Sequence, residues 1–185
     1  IVDKTLSLYG LVESPPYPVI YHNEGGDVVN ILAENVVMRY FNITTVGYSG
    51  NGIVVGGPNS EADGTSISFC NVTDLGDNGI HVDYTSNSCS FENCGIRKTG
   101  KNGILVDDSI DLAAHDINIS SGRITDCVEA GIRIENRCEN IFIDNCQIQN
   151  NSGNGLLIKG KRTRITGSSV INNSKSGVLL EGAED

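Results

Sequence analysis

Short apolar strands in the middle of this 185-residue chain end on ionisable residues. The segments NGIHVD, NGILVDD and AGIRIE each place a glycine after a small residue, alternate apolar side chains and finish on a carboxylate. If these strands stack in register, their outward and terminal side chains meet on one face. The sequence therefore predicts a catalytic site on that face, made of His81, Asp83, Asp107, Asp108, Arg133 and Glu135.

Three kinds of chemistry fit this set of residues. Two carboxylates on adjacent strands, about 4.8 Å apart, approach the separation found in retaining glycosidases, and about 9.6 Å lies at the upper limit for inverting ones. Alternatively, Asp83, Asp107 and Asp108 hold a Ca²⁺ ion that binds a uronate, with His81 or Arg133 as base or charge stabiliser. In the third case the same groups only bind sugar hydroxyls.

Residues beside the cluster are candidates for binding a substrate. A basic segment, IKGKRTR, lies one repeat beyond the carboxylates and could bind an anionic polysaccharide. The opening segment, residues 10–23, is expected to form a loop whose tyrosines stack on sugar rings or pack against the fold. The predicted substrate-binding residues are Tyr84, Lys159, Lys161 and Arg162.

Plainer interpretations of these residues stay open. Charged residues at strand ends are also the ordinary solvated face of a solenoid, and a basic turn is often only solvated. Leu105, Leu157 and Leu179 share the outward stripe with His81. So much aliphatic surface favours a binding surface, a structural face or a subunit contact over an enzyme cleft.

A repeat of Gly, apolar, any and apolar residue positions these side chains. Irregular repeats of 22 to 28 residues, the spacing found here, are typical of solenoids. Each repeat also contains an element with period-two alternation, such as NIFIDNCQI at residues 140–148, and this alternation predicts β-strands. The repeat glycines are Gly52, Gly79, Gly103, Gly131, Gly155 and Gly177.

Three short strands per repeat make one coil of a parallel β-helix. The predicted fold is all-β, a single-stranded parallel β-helix of about seven coils, and we expect the one domain at residues 1–185 to be part of a longer protein. The inward columns are predicted at Ile53, Ile80, Ile104, Ile132, Leu156 and Val178, and at Val55, Val82, Val106, Ile134, Ile158 and Leu180. A corner of mostly small residues is predicted at Phe41, Cys70, Cys94, Gly122, Cys146 and Ser168.

The net charge disfavours two kinds of partner, and the composition indicates what fills the interior. A net charge of −10 disfavours nucleic acid and anionic membranes as partners. The aromatic content of 5% fits a narrow interior filled by stacked aliphatic side chains.

The six cysteines are predicted to be mainly buried, reduced thiols. Asparagines at turns are expected to form side-chain ladders between coils.

The patterns NGI-x-V and N-x-x-I-x-x-C-x-I, repeated over about residues 28–181, resemble the right-handed parallel β-helices of the pectin-lyase-like superfamily. The resemblance implies right-handed coils and a polysaccharide partner. The superfamily includes polysaccharide lyases, glycoside hydrolases, uronan epimerases, phage tailspikes and non-catalytic adhesins. Of the polygalacturonase motifs only the Asp107-Asp108 pair is present, and the Asp-Pro-His motif of alginate epimerases is absent, so no specific activity is carried over.

We therefore expect a carbohydrate-active β-helix protein that binds an acidic polysaccharide and cleaves it, as a lyase or hydrolase, or epimerises it. Calcium is a possible cofactor. The alternative is a non-catalytic glycan-binding fibre or tailspike module, or a structural solenoid. The expected location is extracellular or on a virion surface, with no nucleic-acid or membrane partner and a possible homotrimer.

Overall fold

The computed structural model describes residues 6–10, 15–45 and 49–182. Within these ranges the chain forms 21 short β-strands in three parallel sheets of seven strands each, and it contains no helix. The chain passes through the first, second and third sheet in turn, so one strand from each sheet makes one coil. The prediction of an all-β parallel β-helix of about seven coils is confirmed. None of the described residues belongs to a helix that could span a membrane.

The strands of each sheet follow one another along the axis of the helix. The first sheet contains β1 (Ser7–Tyr9), β4 (Val37–Arg39), β7 (Ser66–Ser68), β10 (Ser90–Glu92), β13 (His115–Ser120), β16 (Glu139–Asp144) and β19 (Arg164–Thr166). The second contains β2 (Val19–His22), β5 (Asn42–Thr45), β8 (Asn71–Leu75), β11 (Gly95–Thr99), β14 (Arg123–Thr125), β17 (Gln147–Gln149) and β20 (Ser169–Ile171). The third contains β3 (Val29–Ile31), β6 (Ile53–Val55), β9 (Ile80–Val82), β12 (Ile104–Val106), β15 (Ile132–Ile134), β18 (Leu156–Ile158) and β21 (Val178–Leu180).

Two-residue corners join the first sheet to the second in six of the seven coils. They fall inside segments that the sequence presents as one alternating run, since residues 140–148 contain parts of both β16 and β17. The backbone turns because the first corner residue has a positive φ, as at Tyr40 (64°), Phe69 (55°) and Asn145 (51°). This left-handed conformation ends an extended strand. The alternating element predicted for each repeat is thus two strands around a sharp bend.

The corners that lead from the third sheet back to the first vary from four to ten residues. The shortest is residues 135–138 and the longest is residues 56–65. The corner at residues 107–114 is an extended loop, closed by an antiparallel bridge between Asp108 and Ala113 rather than by a helical turn. Much of the variation in repeat length is therefore accommodated beside the third sheet.

Columns of aliphatic side chains in register fill the interior. Ile80 pairs with Ile53 on one side and with Ile104 on the other, and all three are at most 1% exposed. The predicted inward columns are confirmed by the strand pairing of the third sheet. In the last described coil the same columns are more open, since Val178 is 45% exposed and Leu180 is 64% exposed.

Asparagine side chains connect the coils at the corner before the third sheet. Asn78 Nδ2 donates to Asn51 Oδ1 at 2.9 Å, and Asn102 Nδ2 donates to Asn78 Oδ1 at 3.1 Å. Asn78 and Asn102 are both buried. A buried amide without a partner would cost about 1–3 kcal/mol, so these bonds favour a single register between coils. The expected asparagine ladder is confirmed at this corner.

The opening segment differs from the overhanging loop that the sequence predicts. Residues 19–22 form β2, which pairs Tyr21 with Thr44 of β5. Tyr21 is 64% exposed on the outer face of the second sheet. Tyr17 instead packs against Tyr40, with 5.7 Å between ring centroids. A four-residue strand is recognisable only through its partner β5, and residues 11–14 of the segment lie outside the described residues.

All six cysteines are buried free thiols, as predicted. Burial raises the pKa of Cys89, Cys94 and Cys138 to about 12. Because the thiolate is the reactive form, these thiols are chemically quiet in the folded protein. The carbonyl of Cys70 accepts the amide of Gly95, and that of Cys94 accepts the amide of Arg123, so both cysteines occupy the predicted small-residue corner.

The glycine that opens each strand of the third sheet is expected to be essential wherever the next coil covers it. A Cβ atom at Gly103 would lie 2.4 Å from Ile124 Cγ2 and 2.5 Å from the carbonyl oxygen of Gly131, whereas at Gly177 the nearest atoms are 3.8 Å away. Gly103→Ala should lower the free energy of unfolding by about 1–3 kcal/mol. Gly177→Ala should change it by less than about 0.5 kcal/mol. Denaturant unfolding measures both values, and equal stability of the two variants would contradict the close approach.

Candidate active site

The outer face of the third sheet carries two rows of side chains in register. The first row projects from the strands: Asn30, Val54, His81, Leu105, Arg133, Leu157 and Leu179. The second row follows the strands, and each of its amides donates to a carbonyl of the preceding coil: Gly56, Asp83, Asp107, Glu135, Lys159 and Glu181. The rows predicted from the sequence have this register, so five of the six predicted catalytic residues lie in these two rows, and Asp108 lies beside them.

His81 and Asp107 form the central pair of this face. His81 projects from β9, Asp107 follows β12 on the next coil, and His81 Nε2 lies 2.9 Å from Asp107 Oδ2. The two side chains are 19% and 30% exposed, so the pair is half-buried yet open to a ligand. The amide of Asp108 donates to Asp107 Oδ1 at 2.9 Å and fixes the carboxylate. A histidine held by a carboxylate at one nitrogen keeps its other nitrogen for proton transfer.

Asp83 and Asp107 occupy equivalent positions on adjacent coils and differ in acidity. Burial raises the pKa of Asp83, and the long hydrogen bonds from Thr85 N (3.4 Å) and Oγ1 (3.3 Å) offset this only in part. Burial also acts to raise the pKa of Asp107, but the hydrogen bond and charge of His81 bring it below its ordinary value. Acid–base catalysis uses such a pair, in which the weaker acid donates a proton and the stronger acid stays ionised.

Arg133, Glu135 and Lys159 form the ionic end of the face. Arg133 Nη2 lies 2.5 Å from Glu135 Oε1, and Lys159 Nζ lies 3.3 Å from Glu135 Oε2. The Glu135 side chain is only 12% exposed, so both cations offset its desolvation. Arg133 Nη1 also lies 3.8 Å from Oε2 of Glu129, whose side chain is 48% exposed. This outer contact is the one that a carboxylate of a ligand would most easily replace.

Asp108 takes part in a separate contact beside the site. Its Oδ2 accepts the amide of Arg137 at 3.2 Å, and the Arg137 guanidinium donates to the carbonyls of Ser109 and Ile110. These bonds join the loop after β12 to the following coil. Asp108 therefore holds the rim of the site rather than standing in the row of Asp107.

The described residues give no support to the calcium site expected at Asp83, Asp107 and Asp108. Within the ranges that the structure describes, no three His, Cys, Asp or Glu side chains are placed to hold a metal ion. The reason is visible in the contacts, because Asp107 binds His81 and Asp108 binds the rim of the site.

The four predicted substrate-binding residues separate into two groups. Lys159 lies in the site beside Glu135, and Tyr84 is half-buried in the turn directly after Asp83. Lys161 and Arg162 lie where the chain has already turned toward the first sheet. Arg162 has a positive φ of 49° and pairs with Glu139 and Asn140 at that corner. The basic segment is thus divided between two sheets, because a corner falls within it.

Two shallow grooves meet at His81. One has a volume of about 390 Å³ and is lined by Asn78, Asn102, Leu105, Arg133 and Glu135 among others. The other, of about 420 Å³, extends toward the first coils and is lined by Asn30, Val54 and Asp83. A polymer lying along the third sheet would cross both grooves and pass over His81.

Sequence reasoning missed the charged residues on the far side of the first groove. Asp77, Lys101 and Glu129 each stand two positions before a repeat glycine. Lys101 Nζ binds Asp77 Oδ1 at 2.8 Å, and Glu129 reaches Arg133. Their shared position in the repeat is the signal that could have found them.

Comparison with known families agrees with this architecture. Residues 19–174 match the family described as "Right handed beta helix region". Since that span covers most of the chain, the protein belongs to the right-handed β-helix family. No curated protein sequence matches the chain significantly.

Solved structures show the same fold at low sequence identity. The chain resembles the A-module of mannuronan C-5 epimerase AlgE6 from Azotobacter vinelandii, with a TM-score of 0.73 and 17% identity over 91% of this chain and 46% of that one. It resembles a double mutant of the periplasmic alginate epimerase AlgG, with a TM-score of 0.70 and 13% identity over 97% of this chain and 47% of that one. It also resembles tailspike protein 2 of an Escherichia coli bacteriophage, with a TM-score of 0.59 and 14% identity over 94% of this chain and 32% of that one. The chain spans less than half of each of these proteins, and the likeness concerns the fold.

Asp83 and Asp107 should affect stability in opposite directions. The lowered pKa of Asp107 means that its contribution is fully present above the ordinary value near 3.8 and is lost as the pH falls through the lowered pKa. The raised pKa of Asp83 means that ionised Asp83 opposes folding above that value. At about pH 7, Asp107→Asn should destabilise by about 1 kcal/mol and Asp83→Asn should be neutral or stabilising.

Urea unfolding at several pH values measures both effects. The Asp107→Asn effect should begin to shrink as the pH falls below the ordinary value near 3.8, where the unfolded chain is protonated, and it should be lost as the pH falls through the lowered pKa of the folded protein. Equal destabilisation by the two variants at every pH would show that their environments do not differ in this way.

Proposed function

We propose that this protein acts on an acidic polysaccharide by acid–base chemistry at the outer face of the third sheet. The observation that carries the proposal is the His81–Asp107 pair, 2.9 Å apart at the point where two grooves meet. Asp83 directly follows the strand that carries His81, and Arg133 follows His81 two coils further along the same row. These groups supply a base, an acid and a cation along one path.

His81 is the base in this proposal. With Nε2–H donating to ionised Asp107, the lone pair of Nδ1 takes the proton from the carbon next to a uronate carboxylate. Asp107 then stabilises the imidazolium that forms, as a buried aspartate does for a catalytic histidine in other enzymes. General base catalysis of this kind contributes about 10²- to 10⁴-fold to a rate.

Arg133 supplies the charge that makes that carbon acidic. A uronate carboxylate bound to a cation withdraws electrons better than a free one, so removal of the neighbouring proton becomes easier. Arg133 and Lys159 already share Glu135, and Glu129 lies 3.8 Å from Arg133. The substrate carboxylate would therefore take the place of exposed Glu129 at Arg133.

Two outcomes follow from the same carbanion. In elimination the bond from C4 to the glycosidic oxygen breaks, and Asp83, the weaker acid, gives its proton to that oxygen. In epimerisation the oxygen stays bound and the carbon takes a proton from water on its opposite face. Two of the structural neighbours are a mannuronan and an alginate epimerase, which supports a uronate as the substrate class.

Hydrolysis of a glycosidic bond is the second candidate reaction. Asp83 and Asp107 stand on adjacent coils, about 4.8 Å apart along the axis, which is close to the separation of about 5–5.5 Å in retaining glycosidases. Their pKa values are displaced in the directions that an acid and a nucleophile require. This reaction needs no cation for a substrate carboxylate.

Incubation with uronate and neutral polysaccharides in D₂O separates these reactions. Ultraviolet absorbance of an unsaturated uronate indicates elimination, and deuterium at C5 without chain cleavage indicates epimerisation. New reducing ends without unsaturation indicate hydrolysis. Binding without turnover would instead support a non-catalytic glycan-binding module, and absence of binding would leave a structural solenoid.

An extracellular or virion-surface location goes with this proposal, because polymers of this kind are met outside the cytoplasm. A homotrimer stays a prediction. Sedimentation of the purified chain measures its oligomeric state directly.

Replacing His81 or Asp107 should abolish most turnover. His81→Asn and Asp107→Asn should each lower kcat by about 10²-fold or more, because the base is removed or loses its orienting partner. The chain offers a matched control in His115, whose Nδ1 lies 2.9 Å from Asp116 Oδ2 on the first sheet, outside the grooves. His115→Asn should keep wild-type activity, and equal loss in both histidine variants would argue against a specific role for His81.

Replacing Glu129 should strengthen the binding of a uronate polymer. Glu129→Gln removes the exposed carboxylate that competes for Arg133, so KM should fall about two- to fivefold. KM for a neutral polysaccharide should not change. Glu92→Gln, which removes the same charge from the first sheet, is the control. A rise in the uronate KM of Glu129→Gln would show that the carboxylate helps binding and would overturn this placement of the substrate.

A further inference from the structure

A larger groove, of about 700 Å³, lies on the outer face of the second sheet, away from the site on the third. Strand register sets two rows of outward side chains there. One row is Tyr21, Thr44, Thr73, Arg97 and Thr125, and the other is Val19, Asn42, Asn71, Gly95 and Arg123. Four spacings of about 4.8 Å make this face about 19 Å long, which suits an extended oligomer.

The charges on this face differ from those of the rest of the protein. Arg97 and Arg123 are exposed, and within the described part of the chain neither guanidinium group makes a hydrogen bond or an ion pair. The groove contains one acidic residue, Asp126, whose carboxylate accepts the hydroxyl of Thr125 at 2.9 Å. Two arginines and one aspartate give the groove a net charge of +1 on a chain of net charge −10.

The two arginines are placed to act together. Arg97 pairs with Thr125, and Arg123 pairs with Gly95, so the arginines are diagonal neighbours on adjacent coils. Their Cα atoms are then about 8 Å apart. Guanidinium groups bind carboxylates and sulfates through paired hydrogen bonds, and unpaired ones lose no protein partner when an anion binds.

Amide groups next to the arginines are held in a fixed orientation. Asn71 Nδ2 donates to Asn42 Oδ1 at 3.0 Å, and Asn42 Nδ2 donates to the carbonyl of Tyr17 at 2.8 Å. A Cβ atom at Gly95 would lie 2.7 Å from Asn71 Oδ1. The Asn71 side chain therefore occupies the space that a side chain at Gly95 would take, and its Oδ1 is an oriented acceptor beside Arg123, which pairs with Gly95.

Tyr21 lies at the end of the row that contains Arg97. Its side chain is 64% exposed beside Thr44, and such a ring offers an apolar face and a hydroxyl to a sugar. The second sheet therefore carries arginines that can bind acid groups, amides that can bind hydroxyls and an aromatic ring that can stack on a sugar.

We propose that the outer face of the second sheet binds an anionic glycan chain, separately from the site on the third sheet. Arg97 and Arg123 bind acid groups on the chain, Asn71 Oδ1 accepts a hydroxyl of a neighbouring ring, and Tyr21 stacks on another ring. The acid groups are carboxylates or sulfates. Binding here goes beyond the proposed function, because it requires no turnover.

Site-resolved NMR titration tests this surface. The probes are a uronate oligosaccharide, a sulfated oligosaccharide of equal length and a neutral one, added to a His81→Asn variant that does not consume them. At least one charged probe should shift the amide signals of β5, β8, β11 and β14 with a single Kd, and the neutral probe should bind about tenfold more weakly or worse. The charged probe that binds identifies the acid group.

Variants of the arginines provide the second measurement. Arg97→Gln combined with Arg123→Gln should raise the Kd read from the second-sheet signals by about tenfold or more. Gln147 pairs with Arg123 on the next coil, and Gln149 lies in the row of Arg97 two coils further along, so the fold accepts glutamine in both rows. Arg164→Gln, which removes an exposed arginine from the first sheet, should leave the Kd unchanged.

Three results would overturn the proposal: no second-sheet shifts with either charged probe, equal affinity for the neutral probe, or an unchanged Kd in the double variant. Signals from the third sheet are read separately in the same spectra. Failure of the polysaccharide site at His81 would therefore be distinguished from failure of the surface at Arg97 and Arg123.

Discussion

Parallel pairing between successive coils is the constraint on which the rest of this structure depends. Each position in the repeat recurs about 4.8 Å further along the axis, so a residue type becomes a column in the core or a row on the surface. His81 lies opposite Leu105 in the paired strands, and this register brings it to Asp107. A slip of one residue would exchange the inner and outer faces and would dismantle core and site together.

The coil and its register could be predicted because their causes are local in the sequence. Gly103 is a glycine because the next coil leaves no room for a Cβ atom. Asn78 and Asn102 recur because the side-chain amide of Asn102 donates a hydrogen bond to the side-chain oxygen of Asn78 on the preceding coil. The corner inside each alternating segment could be placed at small residues such as Cys70 and Cys94, but the left-handed conformation of the residue before them could not be predicted. These left-handed residues include Tyr40 and Phe69, which rarely adopt that conformation and give no turn signal in the sequence.

The candidate site could be placed on the correct face, but its contacts could not be assigned. Asp107 and Asp108 are neighbours in the sequence, yet one binds His81 and the other binds the amide of Arg137. Arg162 is close to Lys159 in the chain, yet it lies at the other end of the same corner, beside the first sheet. Such differences depend on where a corner falls and which side chain reaches across it, and neither follows from the repeat pattern.

The uneven corners of the coil have a consequence for how such a protein changes over evolution. The corner between the first and second sheets holds two residues in six coils, whereas the one beside Asp83, Asp107 and Glu135 ranges from four residues to ten. Insertions and deletions at that corner alter the walls around the rows without moving the strands that form their floor. Ligand preference and scaffold stability can therefore diversify independently, and grafting a new loop between β12 and β13 is the engineering counterpart of that freedom.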